Sequence, residues 1–193
     1  MSVRYATVTT AAPNLLPKDV LLELLPAAFG PWGASGAFPS RPPTHQSVSR
    51  IESELGIRVP PLFIDVAQAC DSYGGWFGSI GNDFASHNHL LSINRAWREE
   101  GVPPRYVLLN HGHDGDCDAW DTEPQALSTG ERPIVYFRFD SDRRALSHLC
   151  ASANSFAEYI DAFVRAHAPR CPVKGLRRKA KRVLAERGGP AVA

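Results

Sequence analysis

The segment His111-Gly-His113-Asp114-Gly-Asp116-Cys117-Asp118-Ala-Trp120-Asp121 gathers two imidazoles, a thiol and four carboxylates within eleven residues. Such a set offers three kinds of chemistry: metal binding, nucleophilic attack or charge recognition. Asp114, Asp116 and Asp118 match the first three ligands of an EF-hand calcium loop. The glycine needed at the sixth position is Ala119, however, and the bidentate glutamate at the twelfth is Gln125, which excludes that loop. On a strand, His111 and His113 project to one face as a zinc pair would, but the spacing supplies no evident third ligand. Cys117 stands near both histidines, yet a lone cysteine is ordinarily a small buried apolar residue. The segment reads best as structural and as a surface for charge recognition. His87-Asn-His89 reads as a polar loop leading into Leu90-Leu91.

Other catalytic signatures are absent. The chain has no Gly-x-Ser-x-Gly elbow, phosphate loop or dinucleotide fingerprint, and Gly75-Trp-Phe-Gly78-Ser-Ile-Gly81 lacks the strand, glycine turn and helix that such motifs require. The expectation is a protein without catalytic residues, cofactor or metal. Cys70, Cys117, Cys150 and Cys171 show no paired spacing, which fits reduced thiols rather than a zinc knuckle or disulfide framework.

Charge is distributed unevenly. The net +1 combines seven bases and one acid from residue 173 onward with 14 bases and 19 acids in residues 1–172, a body of net −5. Acids dominate Asp65 to Glu131, so one face is expected to be negative and to attract a basic partner. The basic segment contains Lys174, Arg177, Arg178, Lys181 and Arg182 with Leu176, Val183 and Leu184, the pattern of a short cationic amphipathic helix. It has no interleaved aromatic residues, so direct nucleic-acid binding is not expected. The expectation is a solvated terminal helix, with docking onto the protein's own acidic face as the alternative.

The elements that position the acidic segment are legible around it. Val48, Ile51 and Leu55 mark one face of a helix that Gly56 ends in a left-handed conformation. Ile57 and Val59 then run extended, and Pro60-Pro61 restart a helix whose buried stripe is Phe63, Val66, Ala67, Cys70 and Tyr73. Gly74-Gly75 lead into a strand at Trp76. Leu90 to Ile93 is a strand or turn candidate, and Asn94 to Glu100 a brief helix closed by Gly101. Tyr106–Leu109, Cys117–Asp121 and Ile134–Phe139 have the β-branched and aromatic content of strands, in a spacing that suits antiparallel meanders. Ser155-x-x-Glu158 opens a last helix carrying Phe156, Tyr159, Ile160 and Phe163. Ahead of all this, a helix is expected from Pro17 to Phe29, followed by a Gly/Pro-rich stretch from Gly30 to Pro43.

The order of these motifs resembles the SUKH superfamily, which contains the fungal Smi/Knr cell-wall regulators and many bacterial immunity proteins. The resemblance rests on the helix ending Leu55-Gly56-Ile57, the Val59-Pro60 restart and Tyr73-Gly74-Gly75 before a strand. It continues through Pro103-Pro104-Arg105-Tyr106-Val107, the run Asp114 to Asp121, Pro133-Ile134-Val135-Tyr136-Phe137 and Ser155-Phe156-Ala157-Glu158-Tyr159-Ile160, covering roughly Thr44 to His167.

The expected fold is a single α+β domain with a mostly antiparallel sheet of about four to six strands packed against helices. Residues 1–43 form an N-terminal helix and lead-in, 44–168 the SUKH-like domain and 169–193 a basic tail. The structural signature is Gly56, Pro60, Tyr73, Gly74 and Gly75. The resemblance implies an immunity protein that binds and neutralises a cognate bacterial toxin, such as a basic nuclease or other cytoplasmic effector, by stoichiometric contact in the cytoplasm. Asp114, Asp116, Asp118, Asp121 and Glu123 are the expected partner-binding acids, with Trp76 or Trp120 as aromatic anchors. The alternative is a Smi/Knr-like scaffold or regulatory module without a toxin partner, and a third reading is a metal-dependent enzyme built on His111 and His113. No run of about 18 apolar residues suggests a membrane span, and the N-terminus lacks the pattern of a signal peptide.

Overall fold

The computed structural model describes residues 14–34, 42–69, 80, 89–111, 115–123 and 131–187. Among the described residues four helices precede the sheet: α1 (Lys18–Ala34), α2 (His45–Leu55), α3 (Pro61–Ala69) and α4 (Leu90–Glu100). The strands β1 (Tyr106–His111), β2 (Asp116–Asp121), β3 (Ile134–Asp140) and β4 (Ala145–Ala153) follow, and α5 (Phe156–His167), a 3-10 turn and α6 (Lys174–Arg187) close the described chain. Among the described residues the sheet is a four-stranded antiparallel meander in the order β1-β2-β3-β4. The protein is therefore an α+β domain. No described helix is long and apolar enough to cross a membrane.

Strand alternation splits the core in two. Val107, Leu109, Trp120 and Ile134 join the larger cluster with α1, α2, α3, α5 and α6. Tyr106, Leu108, Cys117, Ala119, Val135 and Phe137 join the smaller one with Ile93 and Trp97 of α4. Helices thus pack on both faces of the sheet. The Asn94 side chain accepts from Leu108 N at 2.8 Å and donates to Leu108 O at 3.0 Å, so an amide from α4 does for the rim of β1 what a neighbouring strand would do.

Local chemistry explains the helix limits. Thr44 caps α2 in a reciprocal box with Ser47, and Gly56 closes it at φ 68°. The Pro60 carbonyl accepts from Phe63 N and Ile64 N at the start of α3. Leu90 to Ile93, expected as a strand or turn, is instead the first turn of α4. The His89 Nδ1 accepts from Leu91 N at 3.1 Å and supplies the N-cap, a role the polar-loop reading of His89 did not give it. Ser155 caps α5 through Glu158 N, while the Glu158 carboxylate reaches back one residue further, to Asn154 N. Glu131 completes this cap by accepting from Phe156 N at 2.8 Å.

Three parts differ from the sequence reading. Strand β4 was not anticipated: its sequence ALSHLCASA has little β-branched or aromatic content, and it is held by its pairing to β3 across two register shifts. Helix α1 runs beyond Phe29 to Ala34 after a kink at Gly30 (φ 60°, ψ −140°). The basic segment is not a solvated tail. Helix α6 packs against α1 and buries Ala180 and Val183 in the main cluster, to which α1 also contributes Val20, Leu24 and Phe29. Lys179 pairs with Glu23 at 3.2 Å, and Arg187 reaches Glu23 and Asp19, so the acids it meets lie on α1 rather than on the β-hairpin.

Candidate functional site

Within β2 the side chains of Asp116, Asp118 and Trp120 share one face and those of Cys117, Ala119 and Asp121 the other. The first face changes character along the strand. Trp120 lies under α3 and α5, with its ring 5.0 Å from Phe63 and 6.4 Å from Phe156. Asp118 and Asp116, farther along, are half-buried. Register brings Asn110 of β1, Asp118, Tyr136 of β3 and Cys150 of β4 into one row, and Asp116, Arg138 and Ser147 into the next.

Hydrogen bonds fasten these rows. Asp118 Oδ2 accepts from Tyr159 Oη of α5 at 2.8 Å and from Asn110 Nδ2 at 3.0 Å, while Asp118 N donates to Asn110 Oδ1 at 3.0 Å. Tyr136 Oη donates to Asp116 Oδ1 at 2.7 Å. Burial raises the Asp118 carboxyl above its ordinary range, and the two donated hydrogen bonds offset this only in part. The Tyr159 phenol is also pushed up, first by burial and then by Asp118, and the Tyr136 phenol by its bond to Asp116. Both phenols therefore stay protonated donors. Cys117 has its thiol raised to about 12 by burial and then by Asp118 and Asp116, the reverse of an activated nucleophile.

Turn geometry sets where this surface begins. Gly115 adopts φ 79° and its carbonyl accepts from Phe139 N at 2.9 Å, drawing the start of β2 against the end of β3. A pocket of about 480 Å³ opens there, lined by Trp97, Gly115, Arg138, Asp140, Asp142 and Ser147 among others.

The structure divides the residues singled out from sequence. Asp116 and Asp118 come together on the polar end of the sheet. Trp120 is 1% exposed and Asp121 0% exposed, so neither is a surface contact group. Trp120 is a core aromatic, and its indole N–H has no hydrogen-bond partner among the described residues. Asp121 points to the other face, where Arg105 grips both its oxygens at 2.7 Å through Nε and Nη2. Glu123 is exposed and pairs with Arg105, but it lies past the opposite end of β2 from Asp116, roughly 23 Å along an extended chain. The expected acidic cluster is thus two separate groups. Trp76, Asp114 and the Tyr73-Gly74-Gly75 turn lie outside the described residues, as do His113 and the His111 side chain. Among the described residues no group of three His, Cys, Asp or Glu side chains is placed to hold a metal ion. Asn110, Tyr136 and Tyr159 were missed as members of the site. Tyr159 offered one signal, a phenol in an otherwise apolar helical stripe, which needs a polar partner once buried.

No cleft converges a nucleophile, a base and an oxyanion donor among these residues. What the fold defines is a helix-covered sheet that presents a polar end. The sequence profile of the SMI1/KNR4 family (SUKH-1) matches residues 42–162, and the chain belongs to that family. No curated protein matches the chain significantly.

Proposed function

We propose that this chain is an immunity protein that binds and neutralises a cognate bacterial toxin stoichiometrically, in the cytoplasm of the cell that makes it. Membership of the SUKH family supports a binding role. The observation that carries the site is the ordered row of Asn110, Asp118 and Tyr136 with Asp116 beside it, since hydrogen-bonded acids on a rigid sheet offer a pre-organised acceptor surface to a basic partner. Asp116 and Tyr136 are the expected contact residues. Glu123, at the far end of β2, engages only a partner large enough to span the strand. Trp76 and Asp114 remain candidates for the same surface.

The test is to co-express the full-length protein with the toxin encoded beside it and to follow cell survival and complex formation. Wild type protects and forms a complex of fixed stoichiometry, whereas Asp116→Asn combined with Tyr136→Phe keeps its melting temperature and loses association rate, most visibly at low salt. Full protection by that variant would move the interface elsewhere. Absence of any toxin partner would favour a Smi/Knr-like regulatory scaffold.

A further inference from the structure

Helix α6 carries seven bases, of which two are used in docking: Lys179 pairs with Glu23, and Arg187 with Glu23 and Asp19. Lys174, Arg177, Arg178, Lys181 and Arg182 have no acidic partner among the described residues. At about 100° per residue these five fall within roughly 140° of arc, opposite Ala180 and Val183, which are buried in the core. Lys174, Arg178 and Arg182 form one file and Arg177 and Lys181 a second, with steps of about 6 Å along the axis.

We infer that this face of α6 is a docking surface for the phosphate backbone of duplex nucleic acid, read by charge and not by base sequence. Three of the five cations are arginines, whose planar forks match phosphate oxygens bidentately. The helix is already held by its apolar side, so binding does not incur the cost of ordering a flexible tail. The lack of interleaved aromatics, which set nucleic acid aside in the sequence, bears on the stacking of unpaired bases and not on contact with a duplex backbone. Two other polyanionic partners fit less well. Single strands are gripped by stacking bases on aromatic rings, and KGLRRKAKRVLAER contains none. Membrane-surface helices insert an apolar side, and here Leu176, Ala180, Val183 and Leu184 pack within the protein. The acids nearest the cationic arc on α1, Asp19 and Glu23, are neutralised by Arg187 and Lys179.

The test uses the full-length protein and two fluorescein-labelled 20-base-pair DNA duplexes of unrelated sequence, with binding read by anisotropy across a salt series. Both duplexes should bind alike, with micromolar affinity at about 50 mM salt and a slope of log K against log salt of about −4.5, as about five neutralised phosphates require. Arg177→Gln with Arg178→Gln and Lys181→Gln should make that slope shallower by about 2.7 at an unchanged melting temperature. If that variant unfolds, Arg178→Gln alone should change it by about 0.9. Arg143→Gln with Arg144→Gln, on the β3–β4 turn, should alter affinity by less than about twofold. Absence of saturable binding at low salt, or a slope untouched by the α6 substitutions, would overturn the inference. So would α6-dependent binding to phosphatidylserine vesicles without binding to either duplex.

Discussion

The phenol of Tyr159 donates to Asp118 Oδ2 at 2.8 Å across 41 residues of sequence, fastening α5 to the strand that carries the acidic row. Burial raises the Asp118 carboxyl above its ordinary range, and this bond, with that from Asn110, lowers it part of the way back. A carboxyl raised in the folded state favours folding while it is protonated. Its contribution is full below the ordinary carboxylate range and is lost as pH rises through the folded value. Asp118→Asn keeps an acceptor for Tyr159 without the charge. Its melting temperature relative to wild type should therefore improve as pH rises above the ordinary carboxylate range and level off once the folded carboxyl is ionised. A constant difference throughout that rise would show that Asp118 does not titrate as described. Tyr159→Phe leaves the buried acceptor one donor short and should cost about 1–3 kcal/mol.

Arg105 and Asp121 form the other fixed pair. The carboxylate is fully buried and receives two bonds from one guanidinium, which also lies against the Tyr106 ring at 5.2 Å. Arg105→Ala strands that charge in the interior and should destabilise the fold by about 3–5 kcal/mol in urea unfolding. Arg105→Ala with Asp121→Asn should recover part of the loss, and a loss equal to the single variant's would mean that the arginine matters for packing alone.

Two glycines with positive φ separate strain from crowding. Gly56 sits at φ 68° with open space where a Cβ would stand, whereas a Cβ on Gly115 would strike the Phe139 carbonyl oxygen. Gly56→Ala should cost about 1–2 kcal/mol, from backbone conformation alone. Gly115→Ala should cost at least about 1 kcal/mol more, because β2 and β3 must also part. Equal unfolding midpoints for the two variants would refute this placement of the hairpin.

Helix α6 completes the core, so removing it differs from trimming a tail. Deleting residues 173–193 uncovers the part of α1 that α6 packs against and should lower the melting temperature and promote aggregation. Val183→Ala, a smaller loss of the same contact, should cost about 1–2 kcal/mol. A truncated protein as stable as the full chain would show that the docked helix adds nothing.

The helix and strand limits that rest on local chemistry were legible in the sequence: Gly56 at the end of α2, Pro60-Pro61 before α3 and the apolar strands β1 and β3. Strand β4 was not, because Ala, Ser and Cys carry no pleated preference of their own and the strand exists through β3. The site was legible in part. Asp116 and Asp118 follow from their position on β2, but period-two alternation alone does not say which face is covered at which depth, and it left Trp120 and Asp121 on a surface neither reaches. The partners of Asp118 come from β1 and α5, and only folding in three dimensions brings Asn110 and Tyr159 to it.

The clasp between α1 and α6 has a consequence for how the chain folds as it is made. Arg187 and Asp19 are 168 residues apart, so α1 leaves the ribosome long before the helix that covers it exists. Until then α1 has, among the described elements, only the early helix α3 to pack against, through contacts that include the Lys18–Asp65 pair, and part of its apolar face waits for α5, which also arrives late. A long interval of exposed hydrophobic surface of this kind is where chaperones engage a nascent chain and where misassembly between neighbouring copies begins. Final closure then awaits the most distant pairing among the described residues, a topology that slows folding whatever the stability reached at its end.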